Sequence, residues 1–231
     1  MKAYYQDDLV TLYHGDCLEV TEWLSADVLV TDPPYGIKWE GVANYIRGAR
    51  VDRATRGNEA PIANDDSVAV RDRVLEKWGD RPAIVFGSWR APRPTGTKHR
   101  LIWWKQGQAP GPTRNPFVTQ DEEIYVLGDG WPKADSPMRS VLPTAESRSH
   151  AVIELGHPTP KPVGLMETLI SKTPPGVIAD PFAGSGATLV AARNLGRRAI
   201  GVELEERYCE LIVKRLAQQA FDFAGLDGGV A

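Results

Sequence analysis

The chain has 231 residues, and its composition, 42% hydrophobic and 25% charged, is ordinary for a soluble globular protein. Its length suffices for one α/β domain with a full core but not for two large domains. Its net charge of −3 would argue weakly against a nucleic-acid partner only if the charge were spread evenly along the chain. No stretch approaches the roughly 18 consecutive apolar residues of a membrane span, and the N-terminus lacks an apolar signal core, so we expect a cytoplasmic protein.

The N-terminal part predicts short strands separated by polar turns. Residues 9–14 alternate as a strand, and residues 27–31 form a nearly continuous apolar run, typical of a strand buried on both faces. Residues 18–24 between them fit a short crossover helix. Residues 40–66 have no clear period and many Arg, Asn, Gly and Ala residues, which predicts a long surface loop.

The middle of the chain predicts a helix over 67–78, capped by Asp66 or Ser67, and strands at 82–87, 100–104 and 122–127. Residues 128–160 are rich in Pro, Ser and Gly and show no strong period. After Lys161 the pattern predicts helices at 163–171, 185–195 and 205–220 and strands at 177–179 and 198–203. This alternation predicts βαβ units and a mostly parallel sheet.

Charge is segregated along the chain. Residues 36–114 hold 15 lysines and arginines against 8 aspartates and glutamates, although the whole chain is acidic. A basic region beside an acidic remainder is what a phosphate-binding face on one side of a domain produces. A solvated charged loop is the commoner explanation for a single run of this kind.

A glycine-rich turn predicts a nucleoside site. The strand at 177–179 leads into Asp180-Pro181-Phe182-Ala183-Gly184-Ser185-Gly186 and then an apolar helix, and glycine lets a ligand approach main-chain atoms without meeting a Cβ. Glu203 ends the next strand, where an acidic residue binds ribose hydroxyls. Leu189 stands where the dinucleotide fingerprint needs a third small residue, so a nucleoside without a pyrophosphate fits best. The alternative is a turn that only packs a helix closely on a strand.

The segment Asp32-Pro33-Pro34-Tyr35-Gly36 predicts a rigid acceptor turn. It follows a buried strand, which puts Asp32 at the carboxyl edge of the sheet, where α/β proteins bind ligands. Because proline has no N–H, the turn offers the Asp32 carboxylate and the Pro33 carbonyl as acceptors and few donors. Such a turn suits an amino group, and Tyr35 adds a face for a planar heterocycle. The alternative is that Asp32 caps a helix beginning at Pro33.

Together the two motifs resemble those of the amino-methylating DNA methyltransferases, which use S-adenosylmethionine to methylate exocyclic nitrogens of adenine or cytosine. The first matches the family's catalytic motif and the second its cofactor loop. Further matches, in the family's order, are Gly15-Asp16-Cys17-Leu18, Phe86-Gly87-Ser88, Trp103-Trp104-Lys105 and His157-Pro158-Thr159-Pro160-Lys161-Pro162. The catalytic motif precedes the cofactor loop, as in the circularly permuted β group. The resemblance implies an α/β fold: a Rossmann-like, mostly parallel, seven-stranded, circularly permuted methyltransferase sheet with a small irregular target-recognition insertion.

The resemblance also implies residue roles. Asp32 would accept a hydrogen bond from the target amino group, Tyr35 would stack on the extruded base, and Glu203 would hold the ribose of the cofactor. Asp16 would meet the adenine end of S-adenosylmethionine, and Asp180 and Lys161 the methionine end. The predicted catalytic residues are Asp32, Pro33, Pro34 and Tyr35, and the predicted cofactor-binding residues are Asp16, Asp32, Lys161, Asp180, Phe182, Gly184, Ser185, Gly186 and Glu203.

By the same resemblance we expect one methyltransferase domain over 1–231, with a mobile basic loop at 40–66 and a target-recognition region at 106–155 that reads a short sequence. The partner would be double-stranded DNA, in a bacterial or phage-infected cytoplasm, with no membrane and no obligate protein partner, for a monomer or homodimer. The expected product is N6-methyladenine, and N4-methylcytosine stays open because it needs the same acceptors. An inactive nucleic-acid-binding protein of this fold and an enzyme acting on a protein or small-molecule amide are further alternatives.

Cys17 and Cys209 are the only cysteines, and we expect both to be reduced core thiols. Neither follows a proline in the kind of turn that carries a nucleophile in cytosine-C5 methyltransferases, which makes that chemistry a poor fit. No CxxC or Cys/His zinc pattern is present, so the sequence predicts no metal site.

Overall fold

The structure is a computed structural model that describes residues 1–38, 45–46, 49–50, 63–106, 117, 119–133, 137–144 and 160–224. In chain order its elements are β1 (Tyr5–Gln6), β2 (Val10–His14), a 3-10 helix (Glu22–Ser25), β3 (Val28–Thr31), β4 (Tyr45–Ile46), β5 (Ala49–Arg50), α1 (Ala69–Trp78), β6 (Ala83–Gly87), β7 (His99–Lys105), β8 (Asp121–Leu127), β9 (Val141–Thr144), α2 (Val163–Ile170), β10 (Ile178–Asp180), α3 (Ala187–Asn194), β11 (Ala199–Glu203) and α4 (Glu206–Ala224). The chain forms two compact units, Met1–Thr31 with Lys161–Ala231, and Asp32–Pro160.

The first unit contains a mostly parallel sheet in the order β1-β2-β11-β10-β3. Strands β2, β11, β10 and β3 run parallel, and β1 pairs antiparallel with β2. Every residue of β3 and β10 is buried, as expected for parallel strands covered on both faces. Leu189 of α3 and Ile212 of α4 are fully buried in this core. The unit has the alternation of strands and helices that the sequence predicts, and the α/β, mostly parallel, Rossmann-like fold is confirmed.

The second unit is built around β8. This strand pairs antiparallel with β6 on one side and with β7 on the other, and β9 pairs parallel with β7. Every residue of β6 is buried, as are Ile124 and Tyr125 of β8. The short strands β4 and β5 form a separate antiparallel hairpin. Helix α1 buries Val74 and Trp78, which supply its apolar face.

Three sequence-based expectations about elements were wrong. Residues 18–24 do not form one α-helix: the Asp16 carbonyl accepts the amides of Glu19 and Val20, and a 3-10 helix follows at Glu22–Ser25. The N-cap of α1 is Val68, which makes no side-chain capping bond, and not Asp66 or Ser67; the Ser67 hydroxyl only accepts the Ala69 amide in a long bond of 3.4 Å. Residues 128–160, where no strand was expected, contain β9. That strand is short and includes Pro143, so it lacks an alternating pattern, and its partner β7 decides its conformation.

Other expectations depend partly on residues beyond those described. The resemblance implied a seven-stranded sheet; among the described residues, five strands pair in the first unit and four in the second, apart from β4 and β5. Of the 40–66 loop, the structure describes the β4–β5 hairpin and residues 63–66. Of the 106–155 region, it describes residue 106, residue 117, β8 with its flanks, and β9; the rest of both regions lies outside the described residues. Within the part of the chain that is described, no helix is long and apolar enough to cross a membrane.

Candidate functional site

In the first unit, the carboxyl ends of the parallel strands meet at one edge of the sheet. Glu203, the last residue of β11, is in register with His14, the last residue of β2. On the other side of β11, Asp180 ends β10, and the Gly15 amide donates to the Glu203 carbonyl at 2.9 Å. Three of the predicted cofactor residues, Asp16, Asp180 and Glu203, therefore lie at or just beyond this edge, where ligands bind in open α/β sheets.

The glycine-rich turn connects β10 to α3 through two left-handed residues. Gly184 has φ +51° and Gly186, the N-cap of α3, has φ +80°. A Cβ on Gly186 would lie 2.8 Å from Cγ1 of Ile212 on α4, closer than real Cβ atoms come to their neighbours. Gly186 is thus needed for packing of the turn against helix α4, whereas the alternative that the sequence left open was packing of a helix on a strand.

Glu203 joins this turn to the strand end. Its Oε2 accepts the Gly184 amide at 2.7 Å and its Oε1 accepts the Glu205 amide at 2.8 Å. The side chain is 7% exposed, and burial is the main reason why the pKa of Glu203 rises to about 7, against the lowering effect of the two amide hydrogen bonds. Each carboxylate oxygen has a second lone pair, so the group can still accept hydroxyl donors.

Asp180 is nearly fully buried and holds the start of the turn. Its Oδ1 accepts the Thr31 hydroxyl at 2.7 Å and the Phe182 amide at 3.1 Å. The first of these bonds joins the ends of the neighbouring strands β10 and β3, since Thr31 is the last residue of β3. Asp180 therefore fixes the geometry of the strand ends from which the turn begins.

The remaining predicted cofactor residues of the first unit differ in exposure. Asp16 and Phe182 are partly exposed, and Oδ1 of Asp16 accepts the Leu18 amide at 2.8 Å. Ser185 is buried, and its carbonyl accepts from the Arg215 guanidinium. Lys161 is 7% exposed and lies just before α2, in the same unit.

In the second unit, the Asp32-Pro33-Pro34-Tyr35 turn begins directly after Thr31 in the chain. The Tyr35 hydroxyl lies 2.8 Å from Oδ1 of Asp32 and 2.8 Å from Oε2 of Glu122 on β8. Pro33 is buried, whereas the other three residues of the turn are partly exposed. The chain does not form a helix at Pro33, so the alternative in which Asp32 caps a helix is wrong.

A buried aspartate fixes the end of this turn. Oδ1 of Asp65 accepts the Gly36 amide at 2.7 Å, and the Lys38 amide donates to the Asp65 carbonyl at 2.8 Å. Gly36 has φ +71°, and a Cβ there would come within 2.6 Å of the Ser67 backbone. The turn therefore needs glycine at this position, and Asp65 supplies an acceptor for the Gly36 amide, two residues after Pro34.

Comparisons with known proteins show the family of the chain. A family model for N6 and N4 methyltransferases, described as DNA methylase, matches residues 57–214. The chain belongs to this family. Its members are S-adenosylmethionine-dependent enzymes that methylate amino groups of DNA bases. The resemblance predicted from the two motifs is confirmed.

Individual relatives of this DNA methylase cover most of its length. It is 29% identical to the type II methyltransferase M.ScaI of Streptomyces caespitosus, over 95% of this chain and 85% of the relative. It is 27% identical to M2.DpnII of Streptococcus pneumoniae, over 93% and 92%. The solved M1.HpyAVI–SAM complex has a TM-score of 0.61 at 23% identity, over 90% of this chain and 99% of that one. The cytosine-N4-specific PvuII methyltransferase has a TM-score of 0.63 at 18% identity, over 92% and 88%.

Both thiols of this methylase are unsuited to nucleophilic attack. Cys17 and Cys209 are buried and form no disulfide, as the sequence predicts. Burial raises the pKa of each thiol to about 12, so both stay protonated at neutral pH. A cysteine-dependent cytosine-C5 mechanism is therefore a poor fit for the structure as well as for the sequence.

Sequence reasoning assigned no role to three residues that contact the predicted site residues. Thr31 contacts Asp180, Asp65 holds the Gly36 amide, and Glu122 contacts Tyr35. Thr31 and Glu122 lie on strands and their partners, Asp180 and Tyr35, are remote in sequence. No local sequence pattern therefore predicts these two contacts. Asp65 lies in a stretch without periodicity, and only the fold brings its carboxylate into contact with the Gly36 amide.

Proposed function

We propose that this methylase transfers a methyl group from S-adenosylmethionine to the N6 amino group of adenine in double-stranded DNA. The observation that carries the proposal is the Asp32-Pro33-Pro34-Tyr35 turn. Its carboxylate is held by the Tyr35 hydroxyl at 2.8 Å, and its two prolines leave it rich in acceptors and poor in donors. An exocyclic amino group is a double donor and is the complement of such a turn.

The sheet edge of the first unit supports S-adenosylmethionine as the cofactor. Glu203 is a buried carboxylate with remaining acceptor capacity, next to a turn whose backbone adopts left-handed conformations. In our proposal Glu203 binds the ribose hydroxyls and Asp16 the adenine end, while Phe182 and the turn enclose the remainder. Asp180 and Lys161 would serve the methionine end, and Ser185, Gly184 and Gly186 would shape the turn. Bound S-adenosylmethionine supplies an electrophilic methyl group on a sulfonium sulfur.

The residues of the turn make the amino nitrogen reactive. An exocyclic nitrogen is a weak nucleophile because its lone pair is delocalised into the ring. When the Asp32 carboxylate and the Pro33 carbonyl accept hydrogen bonds from its two N–H groups, the nitrogen becomes pyramidal. Its lone pair is then available to attack the methyl group. Fixing it in this way contributes to the rate mainly through positioning. Asp32 then takes the proton that the methylated nitrogen loses.

Exposed cationic side chains of the second unit support DNA as the substrate. Arg90, Arg93, Lys98 and Arg100 are all exposed, in a segment that also exposes the Trp89 ring. Arg93 and Arg100 share one buried carboxylate, that of Glu123, and Lys98 pairs with Asp129, so the four cations keep a net positive charge. Cations on an exposed face are what phosphate binding requires. The target base would leave the helical stack before reaction, because its amino nitrogen is otherwise inaccessible.

N4 of cytosine is the second candidate target. It presents the same double donor to the same acceptors, and the PvuII methyltransferase, which has a similar fold, is cytosine-N4-specific. We favour adenine because the motif begins with aspartate, as it tends to in adenine enzymes of the family. We further propose that residues 106–155 read the DNA sequence, that the sequence is short, and that the enzyme acts as the methyltransferase of a type II restriction-modification system, like M.ScaI and M2.DpnII by name.

The test is mass spectrometry of nucleosides from the DNA of a methylation-free bacterial host that expresses the chain. We expect N6-methyladenine, absent from the same host with an empty vector. N4-methylcytosine in its place would establish the second candidate. If neither nucleoside forms, and purified protein with labelled S-adenosylmethionine transfers no label to DNA, the proposal is wrong, and an inactive binding protein or an enzyme for another amide becomes the better account.

A further inference from the structure

Four side chains of the second unit form a continuous series of contacts: Asp32, Tyr35, Glu122 and Lys105. The Tyr35 hydroxyl lies 2.8 Å from both Oδ1 of Asp32 and Oε2 of Glu122. The other carboxylate oxygen of Glu122, Oε1, accepts from the Lys105 ammonium. The side chains of Lys105 and Glu122 are 12% and 15% exposed, so this ion pair is largely shielded from solvent.

The sheet holds Lys105 and Glu122 in place. Trp103 of β7 is in register with Glu122 of β8, and Lys105, two residues further along β7, lies on the same face as Trp103. The Lys105 ammonium lies 4.7 Å from the Trp103 ring centroid, and Nε1 of Trp103 donates to the Thr144 hydroxyl at 2.8 Å. The ion pair is therefore built on regular strands, which position side chains more accurately than loops do.

The Tyr35 hydroxyl has one proton and two carboxylates within hydrogen-bond distance, so at any moment it donates to one of them. The Lys105 cation neutralises Glu122, which makes Glu122 the weaker acceptor of the two. The proton therefore points toward Asp32. Burial and the two carboxylates raise the pKa of Tyr35 well above its usual value, so the hydroxyl keeps its proton at the pH of catalysis.

We propose that Lys105 and Glu122 are positioning residues that direct the Tyr35 proton to Asp32 and thereby hold its carboxylate ionised and oriented toward the target amino group. The inference rests on the proposed function, in which Asp32 is the acceptor. The charged groups that face Tyr35 in the described contacts are Asp32 from its own turn and Glu122 from β8, with Lys105 of β7 behind Glu122. Asp65 contacts the backbone of the next residue.

The first test replaces Lys105 with methionine, which removes the cation and keeps an unbranched side chain. Glu122 then carries an unneutralised charge and draws the Tyr35 proton, so Asp32 loses a donor. In single-turnover assays with labelled S-adenosylmethionine and DNA from a methylation-free host, we expect the transfer rate of Lys105→Met at pH 7 to fall roughly 10-fold or more. The acid limb of its pH–rate profile moves to higher pH, while the affinity for S-adenosylmethionine, measured by calorimetry, stays within about twofold of the wild-type value.

The second test is rescue by Glu122→Gln in the Lys105→Met background. A glutamine amide at position 122 donates to the Tyr35 oxygen and turns the hydroxyl proton back toward Asp32. We expect the double variant to regain most of the lost rate and the wild-type acid limb. Removal of the unpaired Glu122 charge also restores stability in the double variant, so the return of the wild-type acid limb, and not the rate alone, distinguishes positioning from a merely structural role. Lys77→Met, at an exposed position of α1, is the matched control and leaves the profile unchanged.

An NMR measurement that does not depend on catalysis distinguishes failure of this inference from failure of the proposed function. The Cζ resonance of Tyr35 in protein labelled with 13C-tyrosine, assigned with Tyr35→Phe, reports the hydrogen bonding of the hydroxyl. We expect Lys105→Met to shift it and the double variant to restore it, even if no methyl transfer is found. The inference is overturned if the Tyr35 resonance does not respond to Lys105→Met. It is also overturned if the wild-type enzyme transfers methyl groups and the Lys105→Met variant has the same rate and pH profile.

Discussion

At the scale of single residues, Glu203 combines a proposed role in binding the cofactor with hydrogen bonds inside the protein. Its two carboxylate oxygens accept amides from the glycine turn and from Glu205, and burial raises its pKa to about 7. A hydroxyl donor on the carboxylate favours the ionised form, whereas burial favours the protonated form. The binding of a ribose at this position is therefore coupled to the loss of a proton from Glu203 at pH values below about 7.

The first prediction follows from that coupling. The affinity for S-adenosylmethionine should fall as the pH decreases through about 7, by up to roughly tenfold per pH unit, because binding must then remove a proton. Glu203→Gln should weaken binding by about 1.5–3 kcal/mol at pH 8 and make it independent of pH. Calorimetry at pH 6, 7 and 8 measures both effects. Glu206→Gln, at an exposed position three residues further on, is the control and keeps the pH dependence. Equal wild-type affinity at pH 6 and 8 would remove Glu203 from the cofactor site.

Asp65 allows a second prediction at this scale. Asp65→Ala leaves the Gly36 amide without its acceptor, which costs about 1–3 kcal/mol of unfolding free energy and loosens the turn that carries Asp32. We expect the methyl-transfer rate to fall about 10- to 100-fold with the cofactor affinity unchanged. The neighbouring Asp66→Ala, on an exposed side chain, should leave both quantities as they are. A transfer rate for Asp65→Ala equal to that of Asp66→Ala would contradict the assignment.

At the scale of elements, the contact between Gly186 and Ile212 determines how closely the start of α3 packs against α4. Gly186→Ala would put a Cβ 2.8 Å from Ile212 at a residue with φ +80°. We expect a loss of about 1–2 kcal/mol for the left-handed conformation and about 1–3 kcal/mol for overpacking. Gly196→Ala is the matched control, since Gly196 has φ +65° and open space around it, and should show only the conformational cost. Urea unfolding measures the difference, and equal losses in the two variants would refute the packing role.

The elements also show how much the sequence can predict. Apart from β1 and the 3-10 helix, the strands and helices of the first unit follow clear periods, and the two motifs that carry the family resemblance are local, so both could be identified without coordinates. Strand β9 could not, because four residues including a proline adopt an extended form only through their pairing with β7. The contact of Tyr35 with Glu122 joins residues 87 positions apart, and that of Asp65 with Gly36 joins residues 29 positions apart. Such pairs cannot be predicted from the local pattern of a single sequence.

At the scale of the whole molecule, segregated cations give an acidic protein a surface that can bind DNA phosphates. Exposed Arg90, Arg93, Lys98 and Arg100 lie in the second unit, inside the stretch where the sequence has its basic excess. The guanidinium of Arg90 lies 5.5 Å from the Trp89 ring centroid. We expect this segment to contact phosphate and to contribute affinity without sequence preference.

Arg90→Ala tests that expectation. If Arg90 contacts a phosphate, the variant should bind duplex DNA more weakly at low salt, and the slope of log affinity against log salt concentration should decrease by about 1. The loss should be the same for unrelated sequences. Lys172→Ala, an exposed cation of the first unit, is the control and keeps the wild-type slope. Fluorescence anisotropy across a salt series measures both, and an unchanged slope for Arg90→Ala would exclude this phosphate contact.

The central claim is that Asp32 is the acceptor that makes a base amino group reactive, and Asp32→Ala tests it most directly. We expect purified Asp32→Ala to bind S-adenosylmethionine with nearly wild-type affinity by calorimetry and to transfer methyl groups to DNA at least about 100- to 1000-fold more slowly. Asp8→Ala, at an exposed position near the N-terminus, should retain the full rate. A transfer rate in Asp32→Ala equal to that of Asp8→Ala would contradict the account.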